Sequence, residues 1–262
     1  MKRIAHFAAY SLLAAAFALT SSNSAYAAEA AAPQAKQAAT QKTESAIKTG
    51  VFSAKVPNNE SSLTVEYPVD GPAALVESIR GWINESLGGD YKGNLANVND
   101  VAKFYEQKLR NNEDIEYGGY EIYSIKKAYE NSKVITFVCD FEMYGGGAHG
   151  MASKTGATFL KSNGKMLTND MLTNWTGLRP TVMAGLKKYF KVNSNAKLRE
   201  IIGRENMTAL PMPSANPWIT AKGLVINYSQ YEICAYAYGS PTVVIPAVTA
   251  KSFFNATGKS FF

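Results

Sequence analysis

Over residues 134–143 the hydrophobic and polar positions alternate. Ile135, Phe137, Cys139, Phe141 and Met143 fall on one side of an extended chain, and Val134, Thr136, Val138, Asp140 and Glu142 on the other. A period of two predicts a strand with one well-buried face. Three glycines, Gly145, Gly146 and Gly147, follow and lead to His149. They permit a turn through backbone angles closed to most side chains.

The same reading extends to the rest of the chain. Residues 50–56 and 63–69 predict two short strands around Pro57-Asn58-Asn59. Asp70-Gly71-Pro72 predicts a helix start with Asp70 as its cap. Leu75, Val76, Ile79, Trp82, Ile83 and Leu87 then recur at helical spacing up to Gly88-Gly89. A second helix is expected from Asn99 or Asp100, with Val101, Phe104, Tyr105 and Leu109 on one side. Residues 120–129 form a hairpin with the long strand. Residues 153–160 give a further strand, and residues 162–165 a tight turn. Helical stretches are expected at 168–172, 180–190, 196–202 and 247–254, and strands at 218–221, 223–228 and 242–245. Amphipathic helices next to strands predict an α+β fold, an antiparallel sheet with helices packed on it. No internal repeat is visible, which excludes solenoids and propellers.

Lys2 and Arg3, the uncharged stretch 7–20 and Ala25-Tyr26-Ala27 have the form of a cleavable export signal at residues 1–27. Its apolar run is shorter than the roughly 18 residues a membrane span needs. Cleavage would leave 235 residues (262 − 27) and lower the net charge from +6 to +4, in a periplasmic or secreted location. Residues 28–48, rich in Ala, Gln, Lys and Thr, read as a flexible linker. Two adjoining subdomains are expected beyond it, at 49–144 and 145–262. The mild excess of positive charge without a basic cluster or stripe argues against nucleic acid. Cys139 and Cys234 are the only cysteines and allow a disulfide in an oxidising compartment. One histidine beyond the signal excludes a His-rich or Cys-rich zinc site, and no cofactor motif is present.

Three groups of residues could carry chemistry. The first is the turn Gly146-Gly147 with His149, either an acid–base group or a hydrogen-bonding peg between loops. No Gly-x-Ser-x-Gly or Ser-x-x-Lys motif accompanies it. The second is the tyrosine-dense stretch from Tyr228 to Tyr238, whose large, rigid rings suit recognition. The third comprises Asp140, Glu142 and the more distant Glu232, either a carboxylate pair for hydrolysis or the wet side of a strand.

Two segments together resemble a known secreted family. The first is CDFEMYGGGAHG (139–150) followed by NGKMLTNDML (163–172). The second is KGLVINY (222–228) leading into YEICAYAYGSPTVVIP (231–246). The chain resembles the RsiV-type ectodomain family of anti-sigma factors, which also provides the domain ahead of a peptidoglycan deacetylase. The resemblance implies two adjoining α+β parts, the C-terminal one similar to a small subdomain of actin-like and Hsp70-type ATPases, without ATP binding. In one branch the ectodomain is a lysozyme receptor that makes contact through its loops. Carried to this sequence, that implicates Tyr231, Glu232, Tyr236 and Tyr238, with His149 beside them. Cys234-Ala235 replaces the Ala-Pro common in that loop.

The sequence therefore predicts an exported cell-envelope binding module, not an enzyme. It would recognise a lysozyme-like protein or a peptidoglycan-related ligand through the glycine–histidine turn and the tyrosine loop. The alternative is a cell-wall hydrolase using His149 with a nearby carboxylate.

Overall fold

The computed structural model describes residues 46–262 except 58, 113–117 and 204–209. The expected signal (1–27) and nearly all of the linker (28–48) lie outside these residues. The fold is α+β. Strands β1 (Lys48–Lys55), β2 (Ser62–Asp70), β3 (Tyr120–Glu130), β4 (Val134–Tyr144) and β5 (Met151–Leu160) form one sheet in that spatial order. All neighbours are antiparallel except β2 and β3, which are parallel. The two helices α1 (Ala73–Ser86) and α2 (Val98–Arg110) make that crossover possible, since parallel neighbours need a long connection.

α1 and α2 lie on one face of this sheet. Leu75, Ile79 and Ile83 of α1 and Val101, Tyr105 and Leu109 of α2 meet Leu63, Val65, Ile125, Ile135, Phe137 and Phe159 in a single core. Asp70 does not cap α1: the residue ahead of the helix is Pro72, and the Asp70 carboxylate instead accepts from Gly71 N–H. Asn97 caps α2 by accepting from Asp100 N–H.

The opposite face of β4 is not wet along its whole length. A second sheet, β6 (Trp218–Thr220), β7 (Gly223–Asn227) and β8 (Thr242–Ile245), lies against it through β6. Val138 packs with Trp218 and Val225, so the first six residues of β4 are buried on both faces. Trp218 presses so closely on β5 that a Cβ at Gly156 would lie 2.5 Å from its ring. Two threonines bridge the sheets. Thr136 Oγ1 donates to Ile219 O at 2.8 Å, Ile219 N–H donates to Thr158 Oγ1 at 2.7 Å, and the two hydroxyls bond each other at 2.8 Å. Each buried polar group there has a partner, as burial demands.

The second sheet carries its own core with α3 (Trp175–Tyr189) and α4 (Asn195–Ile202), where Leu178, Val182, Leu186, Leu198 and Tyr228 are fully enclosed. α3 starts five residues before Pro180, with Asn174 as its cap. The closing helix expected at 247–254 is α5 (Ala247–Ala250) followed by a 3-10 turn, and a further short helix, α6 (Ala256–Lys259), comes after it. Hydrogen bonding runs through β5 in the first sheet, beyond the subdomain boundary expected at Tyr144/Gly145. Among the described residues no helix is long and apolar enough to cross a membrane.

Candidate functional site

The β4–β5 connection carries His149, and the β7–β8 connection carries Tyr231, Tyr236 and Tyr238. β5 and β7 hold the two connections together: Asn227 Nδ2 donates to Lys154 O at 3.1 Å, and Ala152 N–H donates to Gln230 Oε1 at 2.9 Å. The rings then meet directly. His149 stacks on Tyr236 with centroids 3.9 Å apart and planes 18° from parallel. Its Nε2 is 3.1 Å from the Tyr231 hydroxyl, and its Nδ1 is 3.0 Å from Gly150 O. A carbonyl can only accept, so Nδ1 carries the proton in the neutral ring, and Nε2 accepts from the phenol. Tyr231 and Tyr236 are 5.9 Å apart. The three rings form one cluster at the surface.

The supports of this cluster explain its local sequence. Gly146 and Gly147 have φ of 82° and 124°, and the turn they allow is fastened by Tyr144 Oη donating to Gly147 O. Tyr231 itself has φ of 66°. A bulky residue in the left-handed region costs about 1–3 kcal/mol, and the surroundings must hold it there. Glu232 supplies that hold. One carboxylate oxygen accepts from Ser229 N–H and the other from Ser214 N–H, both at 2.7 Å. Tyr238 lies at the far end of the loop, edge-on to Phe190 just after α3, and its carbonyl accepts from Tyr189 Oη at 2.9 Å. Tyr231 is 57% exposed and Tyr238 44%. An open cleft of ≈ 380 Å³ runs between the loop residues 231–235 and the end of α4.

Glu232 therefore braces the loop, with both oxygens engaged by main-chain donors. Asp140 is engaged as well: Lys154 Nζ is 2.5 Å from one of its oxygens, and Lys126 Nζ 4.0 Å from the other. Among the described residues, the polar partners of His149 are Gly150 O and the Tyr231 phenol. A hydrolase would need a carboxylate beside the imidazole; among the described residues no carboxylate is hydrogen-bonded to His149. No cluster of metal-ligating side chains occurs among the described residues.

The disulfide that two cysteines allow is not formed. Cys139 and Cys234 are both free and buried, and they belong to separate cores, the first in the core beneath α1 and α2 and the second in that of the smaller sheet. Burial, with a smaller push from the neighbouring Asp140 carboxylate, raises the Cys139 thiol to about 12. Burial also raises the Cys234 thiol. Neither forms a ready thiolate.

Three contributors were not marked by sequence reasoning: Gln230, which pins the loop to β5, Tyr144, which fastens the glycine turn, and Tyr189, which anchors the Tyr238 end. Tyr144 lies inside the first signature segment and Gln230 between the two parts of the second, and that placement was the available signal. Tyr189 carried none, because its partner is 49 residues away.

Residues 178–247 match a family model described as a protein of unknown function, DUF3298. This segment runs from α3 through β8 and includes the tyrosine loop. No functionally curated protein matches the chain. A solved DUF3298-family structure from Bacteroides fragilis is 20% identical with a TM-score of 0.54, covering 80% of this chain and 93% of its own. Another, from Pseudomonas aeruginosa, is 15% identical with a TM-score of 0.56, covering 84% of this chain and 98% of its own. At these identities the likeness is one of fold. The chain thus carries a DUF3298-type segment within an α+β fold shared with two solved members of that family.

Proposed function

We propose that this chain is an exported binding module of the cell envelope that recognises a peptidoglycan-related glycan on the face formed by His149, Tyr231 and Tyr236, with Tyr238 at its edge. The observation that carries this reading is the fixed, exposed ring cluster. The rings are locked by a stack, a phenol–imidazole bond and the Glu232 brace before any ligand arrives. Preorganised aromatic side chains lose little conformational freedom on binding, so more of the contact energy appears as affinity. Flat tyrosine faces suit the C–H faces of sugar rings, and their hydroxyls suit the polar rims.

The RsiV-type resemblance supports the same two loops as the contact region, with a lysozyme-like protein as the other partner it implies. Cosedimentation with purified peptidoglycan tests the proposal. Tyr236→Ala should weaken retention by at least about tenfold, the scale of a central aromatic contact, while lowering stability only by the roughly 1 kcal/mol of the lost ring stack, so that the variant stays folded. Equal retention of parent and variant would remove the ring face from the account. Capture of lysozyme without retention on peptidoglycan would redirect it to a protein partner.

A further inference from the structure

The charge of this protein is segregated along the chain. Residues 28–144 hold 12 Lys and Arg against 17 Asp and Glu, a net of −5. Residues 145–262 hold 13 against 4, a net of +9. The ring cluster's tyrosines and His149 all belong to the positive part. Two of its lysines, Lys154 and Lys161, pair with Asp140 and Glu130 of the negative part. Lys187, Lys188 and Lys191 do not: among the described residues none of the three has an ion-pair partner.

These three lysines contradict the expectation that the chain lacks a basic cluster. They bracket Tyr189 and Phe190 within five positions, at the end of α3. Those two aromatic residues are the ones that hold Tyr238. The lysines therefore lie, along the chain, directly beside the two residues that anchor the Tyr238 end of the loop. The nearest acid in that loop, Glu232, already accepts two main-chain N–H bonds.

We infer that the ligand of this face is an anionic glycan, whose sugar rings lie on the tyrosines and whose carboxylates meet Lys187, Lys188 and Lys191. The inference rests on the glycan reading above and adds the sign of the ligand's charge. A local surplus of unpaired cations beside exposed rings raises the on-rate and affinity for an acidic strand and disfavours a basic partner. The same chemistry could attract single-stranded nucleic acid, which also combines stacking with negative charge. An export signal directs the chain toward envelope polymers instead.

The test uses peptide-free peptidoglycan strands, which bear one lactyl carboxylate per disaccharide, alongside neutral N-acetylglucosamine oligomers of the same length and a single-stranded oligonucleotide. The acidic strand should bind at least about tenfold tighter than the neutral one at low salt. That gap should close as salt rises from about 0.01 M to 1 M and the screening length falls from about 30 Å to 3 Å. The variant Lys187→Gln/Lys188→Gln/Lys191→Gln should weaken the acidic strand by roughly tenfold, a factor of about two per exposed pair, and leave the neutral oligomer unchanged. Replacing Lys55 and Lys103, exposed lysines of the negative part, should change neither. Equal, salt-independent binding of both glycans, unaffected by the triple variant, would overturn the anionic class and leave glycan recognition standing. No binding of either would overturn both, and tighter binding of the oligonucleotide would overturn the glycan assignment.

Discussion

Replacing Thr136 by valine tests how the two sheets are held together, because the shape is kept and only the hydroxyl is lost. Thr136 and Thr158 are fully buried and Ile219 is 4% exposed, so water cannot replace a missing partner. In Thr136→Val the Ile219 carbonyl loses its donor and the Thr158 hydroxyl loses its acceptor. A buried polar group left unpaired costs about 1–3 kcal/mol. Two such losses, less about 1 kcal/mol for the extra buried methyl, leave a net destabilisation of about 2 kcal/mol. For a domain of this size that corresponds to a fall in Tm of about 4–8 °C. Urea unfolding should show the same loss as a lower midpoint at unchanged slope. Thr158→Val strands Ile219 N–H and should cost about as much. The double variant should cost less than the sum, since both act through one ring of hydrogen bonds. Two single variants within about 0.5 kcal/mol of the parent, the ordinary scatter of uncoupled surface changes, would refute the threonine bridge.

Other consequences can be checked on the same instruments. Gly156→Ala places a methyl carbon 2.5 Å from the Trp218 ring; it should cost about 1–3 kcal/mol by overpacking, read as a lower urea midpoint. His149→Ala removes the Tyr236 stack and the Tyr231 bond and should cost about 1 kcal/mol, read as a lower Tm; an unchanged Tm would mean that the imidazole is not a peg. The Cys139 thiol stands at about 12 in the fold against an ordinary value of 9.0. Its contribution is therefore fully present below about pH 9 and is lost as pH rises from there through 12. Cys139→Val should flatten that alkaline limb of the stability curve, and a disulfide-exchange reagent should label Cys139 only as the chain unfolds.

The sequence reveals the fold best where one strand face or helix stripe meets one core. β3, β4, β5 and both N-terminal helices lie close to where periodicity places them. It reveals less where a segment is buried twice. Val134, Thr136 and Val138 read as the wet side of β4 because the alternation is real, yet the nearly unbroken run VITFV is what a strand covered on both faces requires. Thr136 looks polar and exposed because its partner, Ile219, is 83 residues away. Pro180 looks like a helix start since proline is favoured in the first turn, but the cap at Asn174 sets the true beginning of α3. The closeness of His149 and Tyr231, 82 residues apart, follows from no local pattern. It depends on β5 and β7 being brought together, and only the resemblance to RsiV-type ectodomains pointed to it. Glu232 is ambiguous for the same reason, because a carboxylate that braces two loops has the same one-letter signature as one that catalyses.

The most direct measurement follows the ring protons of the parent protein by NMR while peptide-free glycan strands are added. The account predicts saturable shifts at Tyr231, Tyr236, Tyr238 and His149, with little change at Tyr67 and Tyr105 in the core under α1 and α2. Binding that leaves those four rings unmoved, or shifts centred on the α1–α2 side, would contradict it.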